Sequence, residues 1–390
     1  MHPEFALAPD LIHLNHAGVG PWPRRTVAAV TRFAVENGAQ GSLDYPRWLI
    51  VEQTLRRRLA GLIGGASPAD IALVKSTSEG LSMVAYGMDW SPGDNIVGIA
   101  QEFPSNRILW ESLAPLGVQY RQLDLDSSPD PEGDLLALCD GRTRLVAVSW
   151  VQYARGLRLD LGRLSAGCRA RGILLGLDAI QGLGALPLNL ADTPADFVAA
   201  DGHKWMLGPE GLALLYVAPE LRPRLRLRQY GWHMLEQPGD FERRDWAPAL
   251  DARRFECGSP NLTGTHGLEA SLALLQEVGI EAVHAAIEAR IDHLIAAVDA
   301  RGYELLSPRE PDRRAGILTF RVPGVEPQAL YASLMSPGTA DMSGTQERFP
   351  TRPPRVLCAQ RGGGVRFSPH FYTPFEDLDR AMDLVAAEPR

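Results

Sequence analysis

One lysine stands in the twelve residues ADGHKWMLGPEG (200–211), beside a histidine and a tryptophan and ahead of a Gly-Pro-Glu-Gly turn. The apolar run DFVAA leads in and LALLYV leads out. A chain that leaves one strand, presents His203 and Lys204, and re-enters another puts an amine at the edge of a buried sheet. There desolvation and nearby cations lower its pKa and make the neutral amine a nucleophile. Four other polar clusters follow apolar runs in the same way: STSEG (76–80), QEFPSN (101–106), WVQYARG (150–156) and DAIQG (178–182). Ligands in open α/β sheets bind beyond the carboxyl ends of the strands, so if these strands are parallel all five clusters converge on one rim.

The residue types suggest the ligand. STSEG opens a helix, and its orphan N–H groups and hydroxyls, including those of Thr77 and Ser78, suit an anion such as a phosphate. Asp178 ends an apolar strand, where a carboxylate needs a cation or several donors. Phe103 offers an aromatic face. Phosphate cradle, carboxylate, aromatic ring and amine together suit pyridoxal 5′-phosphate (PLP), with Lys204 as its Schiff-base lysine, Asp178 on the pyridine nitrogen and Phe103 stacked on the ring. Each residue also has a plainer reading: Lys204 as a surface amine, Asp178 as a helix N-cap, Phe103 as core, His203 as a structural hydrogen bonder, Arg366 as the ion-pair partner of Glu256.

These groups need a frame. From about residue 25 to 250 the chain alternates helical and strand patterns, with amphipathic helices at 26–37 and 46–62. That pattern predicts a parallel-rich sheet covered on both faces. LALLYV follows its neighbour after a short turn, so that pair is open to an antiparallel arrangement. After residue 260 come a long helix at 268–300 broken near Gly279, short strands in YELLS, GILTFRV and GVRFSP, and a final helix at 374–387. Residues 336–364, rich in Gly, Pro, Ser and Arg, read as a loop. The expected organisation is a substrate-side arm (1–20), a large cofactor-binding domain (21–260) and a small α+β domain (261–390).

Bulk properties narrow the function. The 390 residues carry a net charge of −8, against a nucleic-acid partner. The four cysteines, Cys139, Cys168, Cys257 and Cys358, are widely spaced, with no metal-ligand cluster and no disulfide framework. No basic leader and no uncharged apolar run of about 18 residues is evident, so the expectation is a cytoplasmic protein without a membrane partner. No GxGxxG follows a strand, which removes a dinucleotide-binding reading.

The ordered set DAIQG, DGHKW, ECGSPN and GVRFSPHFYT resembles the class V aminotransferase family of fold-type I PLP enzymes, over nearly the whole chain from LNHAG onward. That family includes cysteine desulfurases, isopenicillin N epimerase-like proteins and kynureninases, and the tail SPHFYT looks closest to the epimerase-like branch. The resemblance implies a mostly parallel seven-stranded sheet, a small C-terminal α+β domain, an amino-acid substrate and a homodimer with shared sites. It also implies roles. Lys204, Asp178 and Phe103 are catalytic. Gln181 reaches the ring hydroxyl, with Tyr153 where desulfurases often have Asn. Thr77, Ser78 and His203 lie at the phosphate, and Ser259 at the phosphate of the neighbouring subunit. Asn15 and His16 line the substrate side, and Arg366 grips the α-carboxylate as a bidentate fork.

Two positions depart from the family pattern. Asp201 replaces a Ser common in desulfurases and would repel a phosphate unless turned towards another donor. Cys358 precedes Arg366 by eight residues, a shorter interval than expected for the desulfurase nucleophile. An inert cysteine is the preferred reading, with a sulfur-accepting thiol flanked by Arg355 and Arg361 as the alternative. The resulting expectation is an aminotransferase or epimerase-like enzyme acting at Cα. Its rivals are a desulfurase or C–S lyase using Cys358, and a non-catalytic protein on the same fold.

Overall fold

The computed structural model describes residues 2–8, 10–337 and 355–387. Its strands are β1 (Ile12–His13), β2 (Ile71–Val74), β3 (Asn95–Ile99), β4 (Gln119–Leu123), β5 (Thr143–Ser149), β6 (Leu174–Asp178), β7 (Phe197–Asp201), β8 (Ala213–Val217), β9 (Glu304–Leu305), β10 (Leu318–Arg321), β11 (Val356–Leu357), β12 (Ala359–Arg361) and β13 (Gly364–Phe367). The helices are α1 (Arg24–Gln40), α2 (Tyr45–Ile63), α3 (Thr77–Gly87), α4 (Pro104–Glu111), α5 (Pro131–Ala137), α6 (Leu161–Arg169), α7 (Leu262–Val278), α8 (Ile280–Ala300), α9 (Pro327–Leu334) and α10 (Phe375–Ala386).

Seven strands form one sheet in the order β2-β8-β7-β6-β5-β3-β4. Only β8 runs against its neighbours, so β2 to β7 share one direction and their carboxyl ends one rim. The central strands β3, β7 and β8 are buried at every position, as expected of a sheet covered on both faces. Edge strand β4 (QYRQL) is half-exposed, which is why its sequence lacks the apolar signature. A second, antiparallel sheet has the order β12-β13-β10-β9. The amino-terminal arm joins this end of the molecule through β1, which pairs in parallel with β11.

The predicted break at Gly279 is real: α7 and α8 meet there at 81°, with Gly279 at φ 85°. Helix α7 packs against α1 and α2, where the hydroxyls of Thr26 and Ser271 lie 2.6 Å apart. Helix α8 packs under β9 and β10 and against α10. No single helix among the described residues is long and apolar enough to cross a membrane. The loop expected at 336–364 is corrected in part. Residues 338–354 lie outside the described residues, but Val356–Leu357 and Ala359–Arg361 are strands, their backbone groups satisfied by β1 and β13.

Candidate active site

The five polar clusters meet as expected, because β2, β3, β5, β6 and β7 all end on one rim. Lys204 leaves β7 into a tight turn in which the Leu207 N–H reaches back to its carbonyl. Leu207 itself sits at φ 60°, a left-handed conformation that costs a non-glycine residue about 1 kcal/mol. Packing fixes this turn from three sides. Gly20 N–H donates to the His203 carbonyl at 2.8 Å, and a Cβ on Gly20 would lie 2.5 Å from the Lys204 carbonyl oxygen. His370 Nε2–H donates to the Trp205 carbonyl at 3.0 Å, and the Trp205 indole N–H donates to Gln181 Oε1 at 2.9 Å.

The lysine side chain is 8% exposed and makes no hydrogen bond or ion pair with the described residues. Its amine lies over the Phe103 ring, 5.5 Å from the centroid. Burial lowers its pKa to about 8; the Asp178 charge opposes this and Arg366 adds to it. Asp178 is also buried and accepts the Ile180 N–H at 3.0 Å. Burial raises its carboxyl to about 6 against that bond and the nearby lysine. Phe103 is 39% exposed, so it is not core, and the Tyr153 ring meets it edge-on at 5.2 Å.

Arg366, on β13, is 3% exposed and has no carboxylate partner among the described residues. Its Nη1 donates to the Tyr153 carbonyl at 2.7 Å and its Nη2 to Asn15 Oδ1 at 3.1 Å, while Nε has no partner among the described residues. Burial, with Arg361 nearby, lowers its pKa to about 10. The alternative pairing with Glu256 does not occur. Glu256 and Glu52 both bind Arg56 in a separate buried cluster that also holds His233. A buried guanidinium held only by neutral acceptors is a seat for an anion.

Helix α3 begins at this rim with Ser76 as N-cap, accepting the Glu79 N–H at 3.2 Å. Ser78 is exposed there, and its hydroxyl donates to that of Ser105 at 2.9 Å. Thr77 departs from the expected phosphate contact. Its N–H and hydroxyl both donate to Asp201 Oδ2, at 2.8 and 2.7 Å, and the hydroxyl accepts the Asp201 N–H. The same bonds turn Asp201 away from the cradle, and His203 Nδ1 lies 3.6 Å from its other oxygen. Burial raises the Asp201 carboxyl, but the His203 and Thr77 bonds outweigh it and hold the carboxyl low.

His16 is a correction. It is fully buried, donating from Nδ1 to the Ser368 carbonyl at 2.9 Å and accepting the Tyr372 hydroxyl at Nε2, 2.7 Å away. With both nitrogens engaged it ties the arm to the carboxyl-terminal segment and does not face substrate. Asn15 does reach the site, through Arg366. Gln181 braces the same region, donating from Nε2 to the Ala17 carbonyl at 3.0 Å. Ser259 is exposed and lines a surface cavity of about 280 Å³ with Lys75, Gln229 and Cys257. Cys358 is 2% exposed between β11 and β12, and burial pushes its thiol up to about 12. Glu102, beside Phe103, is not among the expected site residues: it is buried and accepts the Ser149 N–H at 2.6 Å. Its signal was a carboxylate at a strand end, among residues read for their neighbours.

The fold is that of the fold-type I PLP enzymes. The chain belongs to the aminotransferase class-V family, which it matches over residues 19–381, and the family is PLP-dependent. It is 31% identical to isopenicillin N epimerase of Streptomyces clavuligerus, covering 98% of this chain and 96% of that one. It is 30% identical to a probable cysteine desulfurase of Methanothermobacter thermautotrophicus, covering 96% and 94%. The crystal structure of the cysteine desulfurase CsdA from Escherichia coli superposes with a TM-score of 0.80 at 23% identity, covering 98% and 96% of the two chains.

Proposed function

We propose that this PLP enzyme acts at Cα of an amino acid without a cysteine nucleophile, as an epimerase-like or aminotransferase member of its family. The carrying observation is Arg366, a buried guanidinium in the same site as the Lys204 amine, neither with a carboxylate partner among the described residues. It supports a substrate with a free α-carboxylate next to the carbon from which Lys204 takes a proton.

The residues fit the cofactor. Lys204 offers the amine for covalent attachment, Asp178 a carboxylate to hold the proton of the pyridine nitrogen, and Phe103 a face for the ring. The start of α3 with Ser78 offers donors for the phosphate, and Gln181 keeps one Nε2–H for the ring hydroxyl. PLP bound there supplies an electron sink for the pair left at Cα. Arg366 holds the carboxylate, so the substrate presents its Cα–H in one orientation. The Lys204 amine would carry the proton away from Cα and return it. Burial lowers that amine to about 8, so about half of it is neutral near pH 8 and fit for the task.

The desulfurase reading needs a thiol that meets the substrate. Cys358 is enclosed between two strands and holds its proton strongly, which weighs against that role. We also infer a homodimer. Ser259 stands exposed beside a cavity, and Tyr230, Trp232, Phe241 and Trp246 expose a set of aromatic side chains suited to a second copy.

The reading is tested by incubating the purified protein with a panel of amino acids in heavy water. Exchange at Cα without sulfide release from cysteine is the expected result. Sulfide release that disappears in Cys358→Ala would overturn it.

A further inference from the structure

Glu102 has no place in the chemistry so far. It leaves β3 just before Phe103, is 5% exposed, and forms no ion pair among the described residues. Its Oε1 accepts the Ser149 N–H at 2.6 Å, and its Oε2 bonds the Ser149 hydroxyl. Ser149 is the register partner of Asp178 across the parallel pair β5–β6, and the following N–H, of Trp150, donates to the Asp178 carbonyl at 2.9 Å. Paired residues of neighbouring strands put their side chains on the same face of a sheet. Ser149 and Asp178 thus share a face of the sheet, and Glu102 is bonded to that serine.

We propose that Glu102 is a positioning residue for Asp178: of the two buried carboxyls linked through Ser149 it keeps the last proton, so that Asp178 ionises first, towards the pyridine nitrogen. The inference rests on the PLP reading for its consequence but not for the location of the proton. Two like charges at a desolvated site do not both ionise readily, and the one facing a cation gives up its proton first. Asp178 has that cation in Lys204 and gains a second in a protonated pyridine. Glu102 faces none. From the elements packed around it come the Asp178 carboxyl (β6), the Tyr120 phenol (β4) and neutral Asn106 (α4). Across an adjoining cavity of about 560 Å³ lie Arg107, Asp126 and Arg155. Arg107 is already paired with Glu111, and Arg155 with Asp126. Burial raises the Glu102 carboxyl to about 7; the Ser149 bonds oppose this and the Asp178 charge adds to it.

Two readouts on the purified holoenzyme test the inference. Infrared difference spectra from pH 5 to 9 should show a protonated-carboxyl band that disappears as pH rises through about 7. It should be absent in Glu102→Gln, and its midpoint should rise by about one pH unit in Ser149→Ala, which loses a hydrogen bond to the charged form. The visible cofactor band should titrate with the same midpoint in the wild type and lose that step in Glu102→Gln. Absolute infrared spectra of the wild type and Glu102→Gln that superimpose in the protonated-carboxyl region at every pH would show Glu102 ionised throughout and overturn the proposal. So would an unchanged cofactor titration in Glu102→Gln. If Glu102→Gln does not fold, the Ser149→Ala midpoint decides alone, and no shift there overturns the proposal. A protein without the visible band would overturn the cofactor reading instead, and the infrared arm would still locate the proton.

Discussion

Replacing Cys358 with alanine should leave catalysis intact, and the size of the effect follows from where the thiol sits. Only the thiolate attacks an electrophile or accepts sulfur. Burial pushes the Cys358 thiol to about 12, so at pH 7.5 its thiolate fraction is about 10^(7.5 − 12), or roughly 3 in 100,000. An ordinary cysteine with a pKa near 8.5 is about one-tenth ionised at that pH, a difference of about 3,000-fold. Enclosure between β11 and β12 slows reagents further. The assay is iodoacetamide labelling followed by peptide mass mapping, with the urea-unfolded chain as reference. Cys358 should label at least about 1,000-fold more slowly in the folded protein than in the unfolded one. Cys358→Ala should cost about 1 kcal/mol of stability through a small cavity and change kcat/KM by less than about twofold. Labelling at the unfolded rate, or loss of turnover in Cys358→Ala with normal cofactor content and circular dichroism, would refute the reasoning.

Other expectations follow from the same site. Arg366→Ala should raise KM for an α-amino acid by about 100-fold, the loss of a charge-assisted carboxylate fork, with Arg366→Lys in between because it keeps charge without geometry; an unchanged KM would place the carboxylate elsewhere. Because burial lowers the Lys204 amine to about 8, PLP capture by the cofactor-free protein should quicken by about tenfold per pH unit up to that point and then level off. Stopped-flow absorbance reads this, and a flat profile from pH 6 to 9 would contradict it. Burial lowers His13 to about 4 and His370 to about 3, with His16 also well below its usual range. Unfolded imidazoles take up protons below about 6.5 and the folded ones only near 4 and below, so the unfolded state binds more protons in that window and stability falls as pH drops through it. Denaturant titrations at pH 7 and 4.5 should show the loss, and His370→Asn should reduce it; the same loss in that variant would assign the effect to other groups.

Much of the site is legible in the sequence because parallel sheets advertise themselves. Buried strands such as β5 and β7 are continuous apolar runs, and the polar residues that end them fall on one rim by topology alone. Lys204, Asp178 and Phe103 could therefore be grouped without coordinates. Short or exposed elements were not readable in this way. Strand β4 has no apolar period, and α4, α5 and α9 are seven or eight residues long. Side-chain direction was hidden too. His16 and Asn15 are neighbours in LNHAG, yet one is sealed against Tyr372 and the other reaches Arg366. Thr77 and Asp201 consume each other's hydrogen bonds across β7 and α3, a contact between residues 124 positions apart that no local pattern encodes. Cys358 looked like a loop cysteine because Gly and Arg surround it, but pairing with β1 and β13 makes its segment strand.

The central claim is that Lys204 is the covalent anchor of PLP. Borohydride reduction of the purified protein, followed by peptide mapping, tests it most directly. The expected result is a single pyridoxyl-modified peptide carrying Lys204, loss of the visible band on reduction, and no such peptide from Lys204→Ala. A modification at another lysine, or a visible band trapped on the chain in Lys204→Ala, would contradict it.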